Sequence, residues 1–195
     1  MSILKIKQAV SENIKLKKNL IRNFKNLDKI KNKILYCLNN SGKVFLCGNG
    51  GSAADAQHLA AEFMVRLRPK INRNPYPVIS LALDTSTLTA CSNDYSYKNI
   101  FSRPLDALAS KNDILIVIST SGNSQNIVEV LKMAQKKEVI SVGFLGNGGG
   151  EAKSLCNLKY IVPSKNVARI QETHIFLGHL IFELVEDQLI KKNSR

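Results

Sequence analysis

The stretch Ile114-Leu115-Ile116-Val117-Ile118-Ser119-Thr120-Ser121-Gly122-Asn123-Ser124 decides the fold. Its five aliphatic residues are far short of the ~20 a membrane span requires. A strand apolar at every position belongs in a parallel sheet covered on both faces. Small polar residues halt it, and a helix-forming run continues to Lys137. The same order recurs on either side. Residues 44–47 read as a strand stopped by Gly48-Asn49-Gly50-Gly51-Ser52, before a helix over 53–67. A second strand, 78–83, is entered through Pro75 and Pro77. A short helix near 86–91, a break at Asn93-Asp94 and a helix near 100–109 follow. Strands at 139–145 and 158–162 come next, the first ending in Gly146-Asn147-Gly148-Gly149-Gly150 and the second at Pro163. An amphipathic helix over about 168–191 closes the chain. Strands alternating with helices predict an α/β fold with a parallel sheet, whose ligand sites lie beyond the carboxyl ends of the strands. With no repeat or linker, residues 1–195 read as one domain.

Composition narrows the function. The chain has 195 residues, 44% hydrophobic and 22% charged, ordinary values for a globular protein. Residues 1–7 lack the apolar core of a secretory signal. Cys37, Cys47, Cys91 and Cys156 form no CxxC pair, so they read as reduced core thiols of a cytoplasmic protein. The net charge is +13, of which residues 1–43 carry +9. Their apolar residues Ile3, Ile6, Val10, Ile14, Leu20, Ile21, Phe24, Leu27, Ile30, Ile34 and Leu38 recur mostly in steps of three and four. This is a helical arm over 1–42, in two helices parted near residues 23–26, with a solvated lysine face. No regular aromatic interleaving runs among those lysines, and no nucleic-acid or membrane partner is expected.

Two loops carry the chemistry. Hydroxyls and free backbone N–H groups at Ser119–Ser124, ahead of a helix, favour a phosphate. The loop 48–53 formally fits GxGxxA, the dinucleotide fingerprint. However, the expected acid about 20 residues on is replaced by Arg66, Arg68 and Lys70, and the next strand ends only at Asp84. Neither glycine loop is followed by Lys-Ser/Thr, which excludes a Walker A loop. His58 and Glu62, four apart, share one face of the helix opened by the first loop. On the last helix, Gln171, Glu172, His174 and His179 interrupt an apolar segment. His174 reads as a core histidine. His179 reads either as that or as a site residue.

The segments CGNGGS at 47–52, His58 with Glu62, Asn93-Asp94, ISTSGNS at 118–124 and ARIQE at 168–172 with His179 resemble the phosphoheptose isomerases of the SIS (sugar isomerase) family. The resemblance spans essentially the whole chain. It implies a three-layer αβα fold with a five-stranded parallel sheet, and a homotetramer with active sites between subunits. The implied reaction converts sedoheptulose 7-phosphate to D-glycero-D-manno-heptose 7-phosphate, for the heptose of lipopolysaccharide core. By the same resemblance, Ser119, Thr120, Ser121 and Ser124 hold the phosphate, and Asn49, Gly50, Gly51, Asn93 and Asp94 meet the sugar. Glu62 is the implied general base and His179 the acid, while His58, Glu62, Gln171 and His179 are the implied ligands of one zinc ion per subunit. Either Glu62 gives one oxygen to each task, or metal and substrate compete. Some members carry Asp at the position of Ala168 and His at that of Ala53, and no role transfers there.

Aldose–ketose isomerisation suits these residue types. A carboxylate can move the carbon-bound proton and an imidazole the oxygen protons. The rival reading is a non-catalytic SIS binding protein, like the homologue that associates with the replication initiator DnaA. That homologue has no counterparts of Glu62 and His179. Helix geometry adds one expectation about assembly. Gln171 and His179 stand about 12 Å apart along a continuous helix and are turned by about 80°. One chain supplies both to a single metal only at full stretch. We therefore expect a homo-oligomer in which His179, rather than Gln171, comes from the neighbour.

Overall fold

A computed structural model describes residues 2–193. The strands are β1 (Val44–Gly48), β2 (Val78–Ser80), β3 (Ile114–Ser119), β4 (Ile140–Leu145) and β5 (Leu158–Ile161). They pair in parallel in the order β2-β1-β3-β4-β5. Every residue of β1 and β3 is buried, as their unbroken apolar sequences require.

Alternation along the strands feeds two cores. Val44, Leu46, Ile114, Ile116, Val142 and Phe144 face helices α1 (Ser2–Arg22), α2 (Phe24–Asn39), α3 (Gly51–Met64) and α8 (Val167–Asn193). Phe45, Cys47, Leu115, Val117 and Leu145 face α4 (Thr85–Asp94), α5 (Ser102–Leu108), α6 (Gln125–Lys136) and α7 (Ala152–Leu155). The result is the expected three-layer αβα arrangement. All four cysteines are free and buried in it. Burial pushes the Cys37 and Cys156 thiols up to about 12, so neither is a ready nucleophile.

From β1 the chain moves outward to β2, and from β3 it moves the other way through β4 to β5. The direction therefore reverses between β1 and β3, which makes a crevice at their carboxyl ends. Gly48 pairs with Ile118, so the two loops singled out in the sequence leave the sheet side by side.

Three boundaries differ from expectation. The second strand stops at Ser80, and Asp84 beyond it caps α4 by accepting from the Ser86 backbone N–H at 3.0 Å. Asn93 and Asp94 form the last turn of α4 rather than a break. The helix α3 ends at Met64 instead of running to residue 67.

The N-terminal arm is fastened to the body by polar contacts. Asn13 Nδ2 donates to Glu172 Oε2 at 2.6 Å, Asn26 Nδ2 to the Lys159 carbonyl at 2.8 Å, and the Tyr160 hydroxyl to Asn19 Oδ1 at 3.1 Å. Only Leu16 and Leu20 of α1 are buried. The first half of the apolar stripe, Ile3, Ile6, Val10 and Ile14, is half or more exposed.

Candidate active site

His58 and Glu62 lie on one face of α3, with Glu62 Oε1 3.4 Å from His58 Nε2. His179 of the same chain meets them from α8, its Nε2 2.8 Å from that of His58 and its ring edge-on, with centroids 5.0 Å apart. This corrects the expectation that His179 comes from a neighbour. The residue before it, Gly178, lets the helices touch: a Cβ there would lie 2.5 Å from Leu59 Cδ1. Gln171 is turned elsewhere, with its amide over Gly51, where a Cβ would lie 2.7 Å from Nε2. Gln171 and His179 are directed to different places along α8 and do not converge on one metal within the chain.

The donor atoms of His58, Glu62 and His179 all lie within 4.8 Å of one another. Ligands at about 2.0–2.1 Å from a tetrahedral zinc stand about 3.3 Å apart, near the 2.8 and 3.4 Å of the His58–His179 and His58–Glu62 pairs. Two imidazoles with one carboxylate are a zinc donor set that leaves a coordination position open. The residues fit the metal. Asp55 stands one turn ahead of His58. Burial raises its carboxyl to about 6, against the pull of His58, and its Oδ2 has no hydrogen-bond partner.

The loop 119–124, expected to hold the phosphate, is a tight turn. Ser119 Oγ accepts from the Gly122 N–H at 3.0 Å, and Ser121 Oγ from the Asn123 N–H at 3.2 Å. Ser124 occupies the N-cap of α6 without using its side chain to cap. The turn is backed by the loop after β4. The Ala152 N–H donates to the Gly122 carbonyl at 2.9 Å, and the Glu151 N–H to Asn123 Oδ1 at 3.0 Å. Gly122 has φ +69°, and a Cβ on it would run into the Gly149 carbonyl. Only glycine fits there.

Asn49 was expected to meet sugar, yet its side chain is bound to protein. Its Nδ2 donates to Asn126 Oδ1 at 2.9 Å, Asn126 Nδ2 donates back to Asn49 Oδ1 at 2.8 Å, and the Tyr97 hydroxyl reaches the same Oδ1 at 3.0 Å. This reciprocal amide pair spans the crevice between the two loops. Gly50 and Gly51 lie at the entry to α3. Asn93 and Asp94 are exposed and hydrogen-bonded to each other at 2.9 Å. Asp94 lines a hollow with Cys91, Tyr95 and Arg103.

Among the described residues, the 520 Å³ cleft holding the triad is lined by His58, Glu62, Leu67, Phe176, His179, Leu180 and Glu183, with no residue of 119–124. His174, read as a core histidine, is fully buried. Burial pushes it down to about 4, offset in part by the Leu145 backbone. Sequence reasoning missed Asn126, Tyr97 and Gly178. Gly178 beside His179 was the legible signal, since a glycine inside a helix marks a close approach.

Residues 11–146 match the SIS domain family. The phosphoheptose isomerase of Clostridium acetobutylicum is 42% identical over 187 residues, 94% of each chain. That of Aneurinibacillus thermoaerophilus is 42% identical over 189 residues, 95% of this chain and 94% of its own. The phosphoheptose isomerase structure from Neisseria gonorrhoeae superposes with a TM-score of 0.88 at 34% identity, covering 96% of this chain and all of the other. With the sheet order, the two loops and the α3–α8 triad in place, these likenesses establish that the chain belongs to the phosphoheptose isomerase family of SIS-domain proteins.

Proposed function

We propose that this protein isomerises sedoheptulose 7-phosphate to D-glycero-D-manno-heptose 7-phosphate. The observation that carries the reading is a carboxylate and an imidazole, Glu62 and His179, brought together from α3 and α8 in a member of this family. A binding protein has no use for that pair, and the relatives named above are isomerases.

In the ketose, Glu62 takes a proton from C1 while its electrons form the C1=C2 bond, and His179 gives a proton to the C2 oxygen. The resulting enediol collapses to the aldose: His179 takes the O1 proton as the C1=O1 bond forms, and C2 receives the proton held by Glu62. The phosphate is held by Ser119, Thr120, Ser121 and Ser124, with the α6 N-terminus behind them. Gly50 and Gly51 with Asn93 and Asp94 line the sugar end. The side chain of Asn49 holds the loops together there, and Gln171 backs Gly51. His58, Glu62 and His179 would hold a zinc ion, which when bound supplies a Lewis acid to polarise the carbonyl.

The assembly we propose is a homotetramer with active sites between subunits. Glu62 lies eleven residues into α3 from Gly51, about 16 Å along the axis, and its cleft excludes the phosphate loop. The triad of one copy therefore works with the phosphate loop of another. Exposed Ile14, Ile21 and Phe24 line one hollow with Phe176 and Leu184, and with exposed Ile3, Ile6 and Val10 farther along α1 they are the apolar surface such an assembly covers. No helix among the described residues is long and apolar enough to cross a membrane. The chain would act as one SIS domain in the cytoplasm, supplying heptose for lipopolysaccharide core. A coupled assay on sedoheptulose 7-phosphate tests the reading, and no turnover with or without added zinc would reject it.

A further inference from the structure

A charge cluster lies behind the triad, outside the site described above. Glu186 of α8 is fully buried, an expensive place for a carboxylate. Its Oε1 accepts from Arg73 Nε at 2.6 Å and its Oε2 from Arg68 Nε at 2.6 Å, while Arg68 Nη1 also reaches Asp187 at 2.7 Å. The Arg73 side chain is 2% exposed and its guanidinium lies over the rings of Phe63 and Tyr76, 5.2 and 5.3 Å from their centroids.

Arg73 spends its remaining donors on the end of α3. Nη2 donates to the Glu62 carbonyl at 2.8 Å, and Nη1 to the carbonyls of Phe63 at 2.9 Å and Asn74 at 3.0 Å. The last carbonyls of a helix have no partner within it, and here a side chain eleven residues on supplies one. Glu186 follows His179 by seven residues, nearly two full turns, which returns it to the same face of α8. The guanidinium thus bonds the backbone of Glu62 on one helix and a carboxylate in line with His179 on the other. With Gly178 against Leu59 beside His58 and His179, α3 and α8 are fixed at two points along the triad.

We infer that Arg73 and Glu186 are positioning residues for the isomerase reaction, clamping α3 to α8 so that Glu62 and His58 keep their register against His179. The inference rests on the reading of Glu62 as the base. A buried ion pair contributes little net stability compared with apolar residues of the same volume, so geometry is the return on this one. A misplacement of about 1 Å in a reacting group costs about 100-fold in rate.

The double variant Arg73→Met/Glu186→Leu removes both charges together and leaves neither unpaired, while Arg68 keeps Asp187. Arg73→Lys keeps the charge but has one ammonium in place of a fork, and serves if the double variant does not fold. In variants that melt cooperatively, the clamp predicts kcat lower by about 100-fold for the double variant and about tenfold for Arg73→Lys, with KM within about threefold. The ring-nitrogen NMR signals of His58 and His179 should also move, because their mutual hydrogen bond depends on the register. Wild-type kcat, or unmoved ring signals in a slowed variant, would overturn the inference. If the wild-type protein turns over no sedoheptulose 7-phosphate, the reaction assignment fails by itself, and the ring signals still judge the clamp.

Discussion

The Nε2 atoms of His58 and His179 stand 2.8 Å apart, one on α3 and the other on α8, so two helices present nitrogens that could ligate one metal. His58→Ala or His179→Ala should each weaken zinc binding by more than about 100-fold, since even indirect supports of metal ligands are worth about 10–100-fold. Calorimetric titration of the metal-free protein measures this. Unchanged affinity in either variant would remove the triad as the metal centre.

Glu62→Gln keeps the shape of the side chain and loses the base. Its kcat should fall by about 2–4 orders of magnitude, with KM changed only a few-fold. Steady-state kinetics decide the matter, and a rate within tenfold of wild type would exclude Glu62 from proton transfer.

Ser124→Asp should raise KM for the sugar phosphate. Aspartate is a good N-cap, so α6 is preserved, while its charge opposes the phosphate. Inhibition by inorganic phosphate should weaken in parallel. Wild-type KM would place the phosphate elsewhere.

Mixing subunits separates two arrangements of the site. At substrate well below the KM of Ser124→Asp, Glu62→Gln and Ser124→Asp chains should complement each other, recovering up to about one quarter of wild-type activity when subunits exchange at random in a closed oligomer. Glu62→Gln mixed with His179→Ala should recover none, because both residues serve one triad in one chain. Recovery in the second mixture and not the first would reverse the assignment.

His174 predicts a pH dependence of stability. Its folded pKa of about 4 lies below the ordinary 6.5, so the folded chain favours the neutral ring. The stabilisation is complete above pH 6.5 and is lost as pH falls towards 4, by about 3 kcal/mol in all. The raised carboxyl of Asp55 acts in the opposite sense below about pH 6. Urea unfolding of wild type and His174→Leu therefore isolates the imidazole. Equal slopes in the two proteins over this range would contradict the buried neutral ring.

What was legible in the sequence follows the range of the interactions. The strand β3 and the loop after it were readable because unbroken aliphatics and then small polar residues act locally. The pairing of His58 with Glu62 was readable because helical spacing is periodic. The end of α3 was misread because Arg73 and Glu186, not residues 65–67, decide it, and Glu186 lies more than 120 positions from Met64. The origin of His179 was misjudged for a related reason. A packing contact between Leu59 and Gly178 has no trace in hydrophobic periodicity. Asn126 was overlooked because an amide two residues past Ser124 looks like any helix surface, whereas it is buried against Asn49.

The abutment of Gly122 on Gly149 makes the phosphate loop and the loop after β4 one unit of inheritance. A methyl group gained on the first glycine, or a residue inserted beside the second, would have to be matched in the other loop at once. Divergent copies of this gene therefore have few single steps open to them here.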